Sequence, residues 1–166
     1  AVPVGAWQTS TWAQERAIEA RALQTNPGAA VLRDPSLPMP AADAPLLPLP
    51  TLLDDEWMLL DRECTGEWAT DVEALRGTCS ETSETPGARQ TVVVIGDSHS
   101  QQMTSALRPV AEANGWGVVF LIKGGCSMGL DEPGMDERCD GWREAAIQLV
   151  EQVRPDAAMT VVTRSD

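Results

Sequence analysis

The chain has no tyrosine, one phenylalanine and one histidine in 166 residues. With that histidine at position 99 and no Cys-x-x-Cys pair, nitrogen and sulfur ligands are too few for a structural zinc site. No metal and no cofactor is therefore expected. Positive charge is also scarce: 12 Lys and Arg against 25 Asp and Glu leave a net charge of −13 and a pI near 4.3. Such a surface repels phosphate, which disfavours a nucleic-acid partner. No apolar run approaches the roughly 18 residues that a bilayer-spanning helix needs.

What is present suffices for a folded core. Apolar residues make up 43% of the chain and charged residues 22%, close to ordinary globular usage. The length is that of one domain. The chain opens on Ala1 rather than Met and stops at Asp166 directly after an apolar stretch, so a piece of a longer protein is expected.

Four cysteines allow three pairings. Proximity favours Cys64 with Cys79 and Cys126 with Cys139, each bridge closing a loop of roughly 15 residues and contributing about 3 kcal/mol in the chain-entropy model. Buried free thiols are the alternative. Disulfides would place the domain outside the reducing cytosol.

Composition divides the chain into three parts. Residues 1–55 hold a short helix over Thr11–Gln24, ended by Asn26-Pro27-Gly28, and then a Pro-rich tether at 35–50 that cannot propagate a helix and should run extended. The tether contains Leu37, Met39, Leu46, Leu47 and Leu49, which are expected to lie along a groove. Residues 56–89 form an acidic, disulfide-stapled lead-in. Over 54–85 there are ten acids against Arg62 and Arg76, as expected for a solvated loop. Residues 90–166 change character. Thr91-Val92-Val93-Val94-Ile95 reads as a strand buried on both faces of a parallel sheet.

A helical stripe follows at Met103, Ala106, Leu107, Val110 and Ala111, with Pro109 in conflict with it. Gly117–Ile122 is a second strand. The loop Lys123–Asp140 leads to a second stripe at Trp142, Ala145, Ala146, Leu149, Val150 and Val153, and Ala157–Thr163 is a third strand. This alternation predicts a three-layer α/β/α fold with a parallel sheet, incomplete, preceded by the Pro-rich segment. Of the six tryptophans, Trp57, Trp68, Trp116 and Trp142 are read as core, and Trp7 and Trp12 as candidate interfacial anchors, with core packing the default for each of the six.

Ligands of an open parallel sheet sit beyond the carboxyl ends of its strands. After Ile95 comes Gly96-Asp97-Ser98-His99-Ser100, opening directly into a helix. A serine on that turn points its hydroxyl at solvent, beside the N–H groups of a helix start that can hold a developing oxyanion. The same residues also make a plain tight turn and cap. The arrangement is not Gly-x-Ser-x-Gly, and neither phosphate-binding glycine motif occurs.

The segment VVVIGDSHSQQM resembles block I of the GDSL/SGNH hydrolase superfamily, in the form found in SGNH domains attached to acyltransferase-3 membrane proteins. The Asn26-Pro27-Gly28-Ala29 tether, the Cys64/Cys79 pair and Leu121-Ile122-Lys123-Gly124-Gly125-Cys126 extend the likeness over most of the chain. The resemblance implies an SGNH/flavodoxin-like fold with Ser98 as nucleophile. Its own N–H would serve in the oxyanion hole, with Gly125, or in second place Gly124, giving another. Gly96 and Asp97 would shape the turn, His99 would orient it, and Arg164 would replace the asparagine of the family's third block, which this chain lacks.

The family's Asp-x-x-His pair has no counterpart here, so these residues alone are expected to be nearly inactive. The implied function is O-acyl transfer, commonly of acetyl, to a cell-envelope glycan or glycolipid. The domain would be extracytoplasmic, tethered to a fused transmembrane acyltransferase upstream. The alternatives are a freestanding carbohydrate esterase and a catalytically dead glycan-binding module.

Overall fold

The computed structural model describes residues 4–21, 26–40, 44, 47, 57–129 and 137–161, and the chain divides into two units, Ala1–Trp57 and Met58–Asp166. In the first unit, helix α1 spans Val4–Glu19, starting earlier and ending earlier than the stretch Thr11–Gln24. Pro3, just ahead of it in sequence, is a residue that a helix start tolerates. Trp12 is 60% exposed, and the Arg16 guanidinium lies 5.5 Å from the centre of its ring. The side chain of Trp7 lies outside the described residues.

A 3-10 turn at Gly28–Leu32 follows, and residues 35–40 carry neither helix nor strand. Met39 is 81% exposed, so the expected groove does not cover it. Leu37 and Leu47 are half-buried, and Leu46 and Leu49 lie outside the described residues.

The second unit is built on a five-stranded sheet: β1 Arg62–Glu63, β2 Cys79–Glu81, β3 Thr91–Gly96, β4 Gly117–Ile122 and β5 Ala157–Met159, in the order β1-β2-β4-β3-β5. β3 pairs in parallel with β4 and with β5. The two lead-in strands pair antiparallel, β1 on β2 and β2 on β4, so the sheet is mixed where a parallel one was expected.

The centre is parallel for the reason legible in the sequence: β3 and β4 are continuous apolar runs, with Val93, Val94, Val118, Val119 and Leu121 fully or almost fully hidden. Such strands need cover on both faces. Helix α2, Ser98–Asn114, supplies one cover, with Leu107 and Ala111 packing on Val94, Val118 and Phe120. Helix α3, Glu137–Val153, supplies the other, with Trp142, Ala146 and Leu149 against Val93, Ile95, Val119 and Leu121.

The acidic lead-in is not simply a solvated loop, because it closes this second layer. Trp68 and Leu75, on 3-10 turns Gly66–Trp68 and Glu73–Leu75, are each 2% exposed and join the cluster of Trp142. Trp142 Nε1–H donates to Thr78 Oγ1 at 3.2 Å, which satisfies the indole. Both favoured disulfides form, Cys64–Cys79 and Cys126–Cys139, with Cα atoms 5.5 and 5.3 Å apart. Glu81 is 1% exposed, and its Oε1 accepts from Arg62 Nε at 3.1 Å and Thr65 Oγ1 at 2.6 Å.

Arg108 on α2 donates to Leu59 O, Asp61 and Glu112. Asp61 also accepts from the Ser83 N–H, the chief cause that holds its carboxyl below the usual range. Replacing Trp68 by alanine is expected to lower the unfolding free energy by about 3–5 kcal/mol. Urea denaturation checks this, and a loss below about 1 kcal/mol would make the lead-in an appendage rather than core.

Two other expectations change. Trp116 is half-buried and Trp57 is 40% exposed. The third strand is shorter than Ala157–Thr163, and its Ala157 and Ala158 are exposed, because β5 stands at the sheet edge with no outer neighbour among the described residues.

Candidate active site

The connections leaving β3 and β4 run in opposite directions across the sheet. α2 leads from β3 to β4 on one side, whereas α3 leads from β4 back to β5 on the other side of β3. The two helices lie on opposite faces. A crevice opens where such a reversal occurs, at the carboxyl end of the central strand. That end is Gly96, and the turn after it carries Asp97 and Ser98.

Gly96 has φ +144°, and a Cβ built on it would collide with the Ser100 hydroxyl, so glycine is required there on two counts. Asp97 is the helix N-cap and is 7% exposed; its Oδ1 accepts the His99 N–H at 2.9 Å. This is the capping bond that a helix start calls for. Ser98 is therefore the first residue of α2. It is half-buried, and among the described residues no group hydrogen-bonds its hydroxyl. Its own N–H belongs to the set that a helix start leaves without intrahelical partners.

The loop after β4 leaves the same sheet edge, since Gly96 stands opposite Ile122 in the register. The Lys123 N–H donates to Gly96 O at 2.9 Å, and the Cys126 N–H to Lys123 O at 3.0 Å, which closes a turn around Gly124 and Gly125. Gly125 has φ +75° and open space where a side chain would point. Disulfide Cys126–Cys139 ties that turn to the start of α3. A cavity of about 350 Å³ borders α2 one turn from Ser98, lined by Gln101, Ile122, Phe120, Ser80, Leu60 and Arg62 among others.

His99, the one histidine of the chain, turns away from a base's position. Its side chain is 59% exposed, and Nδ1 lies 3.3 Å from both Asp97 carboxylate oxygens. Arg164 lies outside the described residues. Among the described residues no cluster of His, Cys, Asp or Glu could hold a metal ion, and no helix is long and apolar enough to cross a membrane.

Ser100 is the residue that sequence reading passed over. Its side chain is fully buried, and its Oγ accepts the Val161 N–H at 3.1 Å. The apolar stripe read for α2 holds in part: Leu107 and Ala111 face inward, Met103 and Val110 are 58% and 46% exposed, and Ser100 and Thr104 complete the inward row.

Residues 63–164 match the family model described as SGNH domain (fused to AT3 domains). No curated protein and no solved structure matches the chain.

Proposed function

From a chain that belongs to the SGNH domains fused to AT3 domains, hydrolase-like acyl-transfer domains of acyltransferase-3 proteins, we propose that Ser98 carries an acyl group as a covalent ester. In the first half-reaction the Ser98 oxygen bonds to the acyl carbon, the donor's leaving group departs, and the serine proton passes to a base. In the second a carbohydrate hydroxyl attacks that ester, gives up its proton, and restores the serine. Water in place of the sugar gives hydrolysis.

The negative oxygen that forms at each tetrahedral stage would be held by the N–H groups of Ser98 and Gly125. Gly96 and Asp97 fix the turn, His99 orients it through Asp97, and Arg164 adds a donor. The acyl group is acetyl, and the acceptor is a cell-envelope glycan or glycolipid. In this reading residues 1–55 are helix and tether, 56–89 the stapled lead-in, and 90–166 the part that carries the chemistry.

One observation carries the proposal: the Ser98 hydroxyl has no hydrogen-bond partner among the described residues, at the first position of a helix that starts where the sheet's connections reverse. A serine kept only for capping would spend its oxygen on the backbone, and here Asp97 does that work. An extracytoplasmic position, tethered to the fused membrane acyltransferase, agrees with the two disulfides.

A binding module without catalysis is the second reading, favoured by the single histidine and its engagement with Asp97. Capture of the acyl-enzyme separates the two. Full-length protein quenched in acid during turnover of an activated acetyl ester is expected to carry acetyl on the peptide containing Ser98, as read by mass spectrometry. Turnover with acetyl on another residue, or on none, would remove Ser98 from the mechanism.

A further inference from the structure

Ser100 stands apart in the first turn of α2. Its side chain has 0% exposure, whereas Ser98 is half-buried and His99 exposed. A hydroxyl so placed needs a partner, and its oxygen accepts the N–H of Val161, 61 residues further on in the segment that leaves β5. The same oxygen occupies the space that a side chain at Gly96 would take, and Thr160 Oγ1 lies 3.5 Å from that point. Thr104, also wholly buried, donates its hydroxyl to Ser100 O at 3.0 Å, which fixes the backbone from which the Ser100 side chain extends. One hydroxyl thus joins the end of β3, the start of α2 and the exit from β5, three pieces that meet at the carboxyl end of the sheet.

Resting on the reading of Ser98 given above, the geometry points to Ser100 as a positioning residue: it clamps the segment leaving β5 onto the turn that presents the nucleophile. The distance from Ser98 to the segment after β5 is then set before substrate arrives. A serine is the residue that fits. Alanine would leave the Val161 N–H unmatched, and Gly96 makes room for the oxygen but not for a larger group. A clamp of this kind acts on the geometry of reaction more than on affinity, and a displacement near 1 Å is enough to cost about 100-fold in rate.

Ser100→Ala tests it with two readouts. In the chain itself, amide exchange at Val161 is expected to quicken by about tenfold or more while amides of β3 and β4 keep their protection. In the full-length protein, with 4-nitrophenyl acetate as probe, kcat is expected to fall about 10- to 100-fold with KM unchanged.

Thr85→Val removes a buried hydroxyl beside the start of β4, away from this turn, and measures what a plain packing defect does. Unchanged exchange at Val161, or a kcat loss no larger than that of Thr85→Val, would overturn the clamp. Should Ser100→Ala fail to fold, Ser100→Gly takes its place, since it removes the hydroxyl and adds no volume, and its helix-propensity cost is small. Failure of the nucleophile reading shows in a different variant, Ser98→Ala, and exchange at Val161 is measured without any chemistry at Ser98.

Discussion

Ser98→Ala is expected to abolish acyl transfer in the full-length protein while leaving the fold in place. The loss should reach at least about 10³-fold, because a nucleophile removed from a covalent mechanism leaves only the contributions of oxyanion donors and substrate binding. At about 1.4 kcal/mol for each tenfold step, that is some 4 kcal/mol of barrier. Stability should move far less, within about 0.5 kcal/mol, as for surface changes that touch no special feature.

The structure supplies the reason for that contrast. The cap of α2 is Asp97, the buried hydroxyl of the turn is Ser100, and the Ser98 oxygen bonds to nothing among the described residues. In the proposed mechanism the Ser98 oxygen reacts, while Asp97 and Ser100 hold the turn. Initial rates with an activated ester, paired with thermal unfolding of both proteins, make the test. A variant that keeps more than half its activity would place the chemistry elsewhere.

The parts of this fold that could be read from residues alone are those where one face of an element is uniformly apolar. β3 and β4 announce themselves as unbroken runs of Val, Ile, Leu and Phe, and α3 shows its stripe through Trp142, Ala146 and Leu149. The turn that carries Ser98 was legible for a different reason: Gly96 and Asp97 are turn and cap residues lying between a buried strand and a helix.

Half of the inward row of α2, Ser100 and Thr104, was not legible. Ser100 and Thr104 are buried through hydroxyls matched by backbone groups distant in sequence or on the same helix, and a periodicity count treats such residues as solvent-facing. The lead-in misled in the opposite sense. Its ten acids over residues 54–85 suggest a solvated loop, yet Trp68 and Leu75 complete the core and β2 extends the sheet in the antiparallel sense. Those placements depend on contacts with α3 and β4 that no local pattern encodes. A disulfide between β2 and the loop after β1 then holds the segment to the sheet edge.

The second large effect concerns the base. A serine hydroxyl needs its proton removed as it attacks, and positioned general-base catalysis contributes typically about 10²–10⁴-fold. The 166 residues offer one histidine. His99 follows Ser98 directly, and its ring nitrogen is held 3.3 Å from both oxygens of Asp97, so it supports the turn rather than reaching the Ser98 oxygen. These residues alone are accordingly expected to turn over 4-nitrophenyl acetate no faster than oxyanion stabilisation and binding permit. A polypeptide that adds the family's Asp-x-x-His segment should be faster by about 10³-fold or more.

Two controls make the comparison specific. Ser98→Ala in the longer polypeptide should fall to the level of the shorter one, because nucleophile and base act as a unit and losing either forfeits most of what both provide. His99→Ala should cost about tenfold or less, far below the loss in Ser98→Ala, since His99 touches Asp97 and acts on the turn rather than on the reacting atoms. Equal rates for the long and short polypeptides would mean that the serine is activated within these residues or is not the nucleophile. A collapse of the rate in His99→Ala would point to the first of those, with the imidazole leaving Asp97 to take the proton itself.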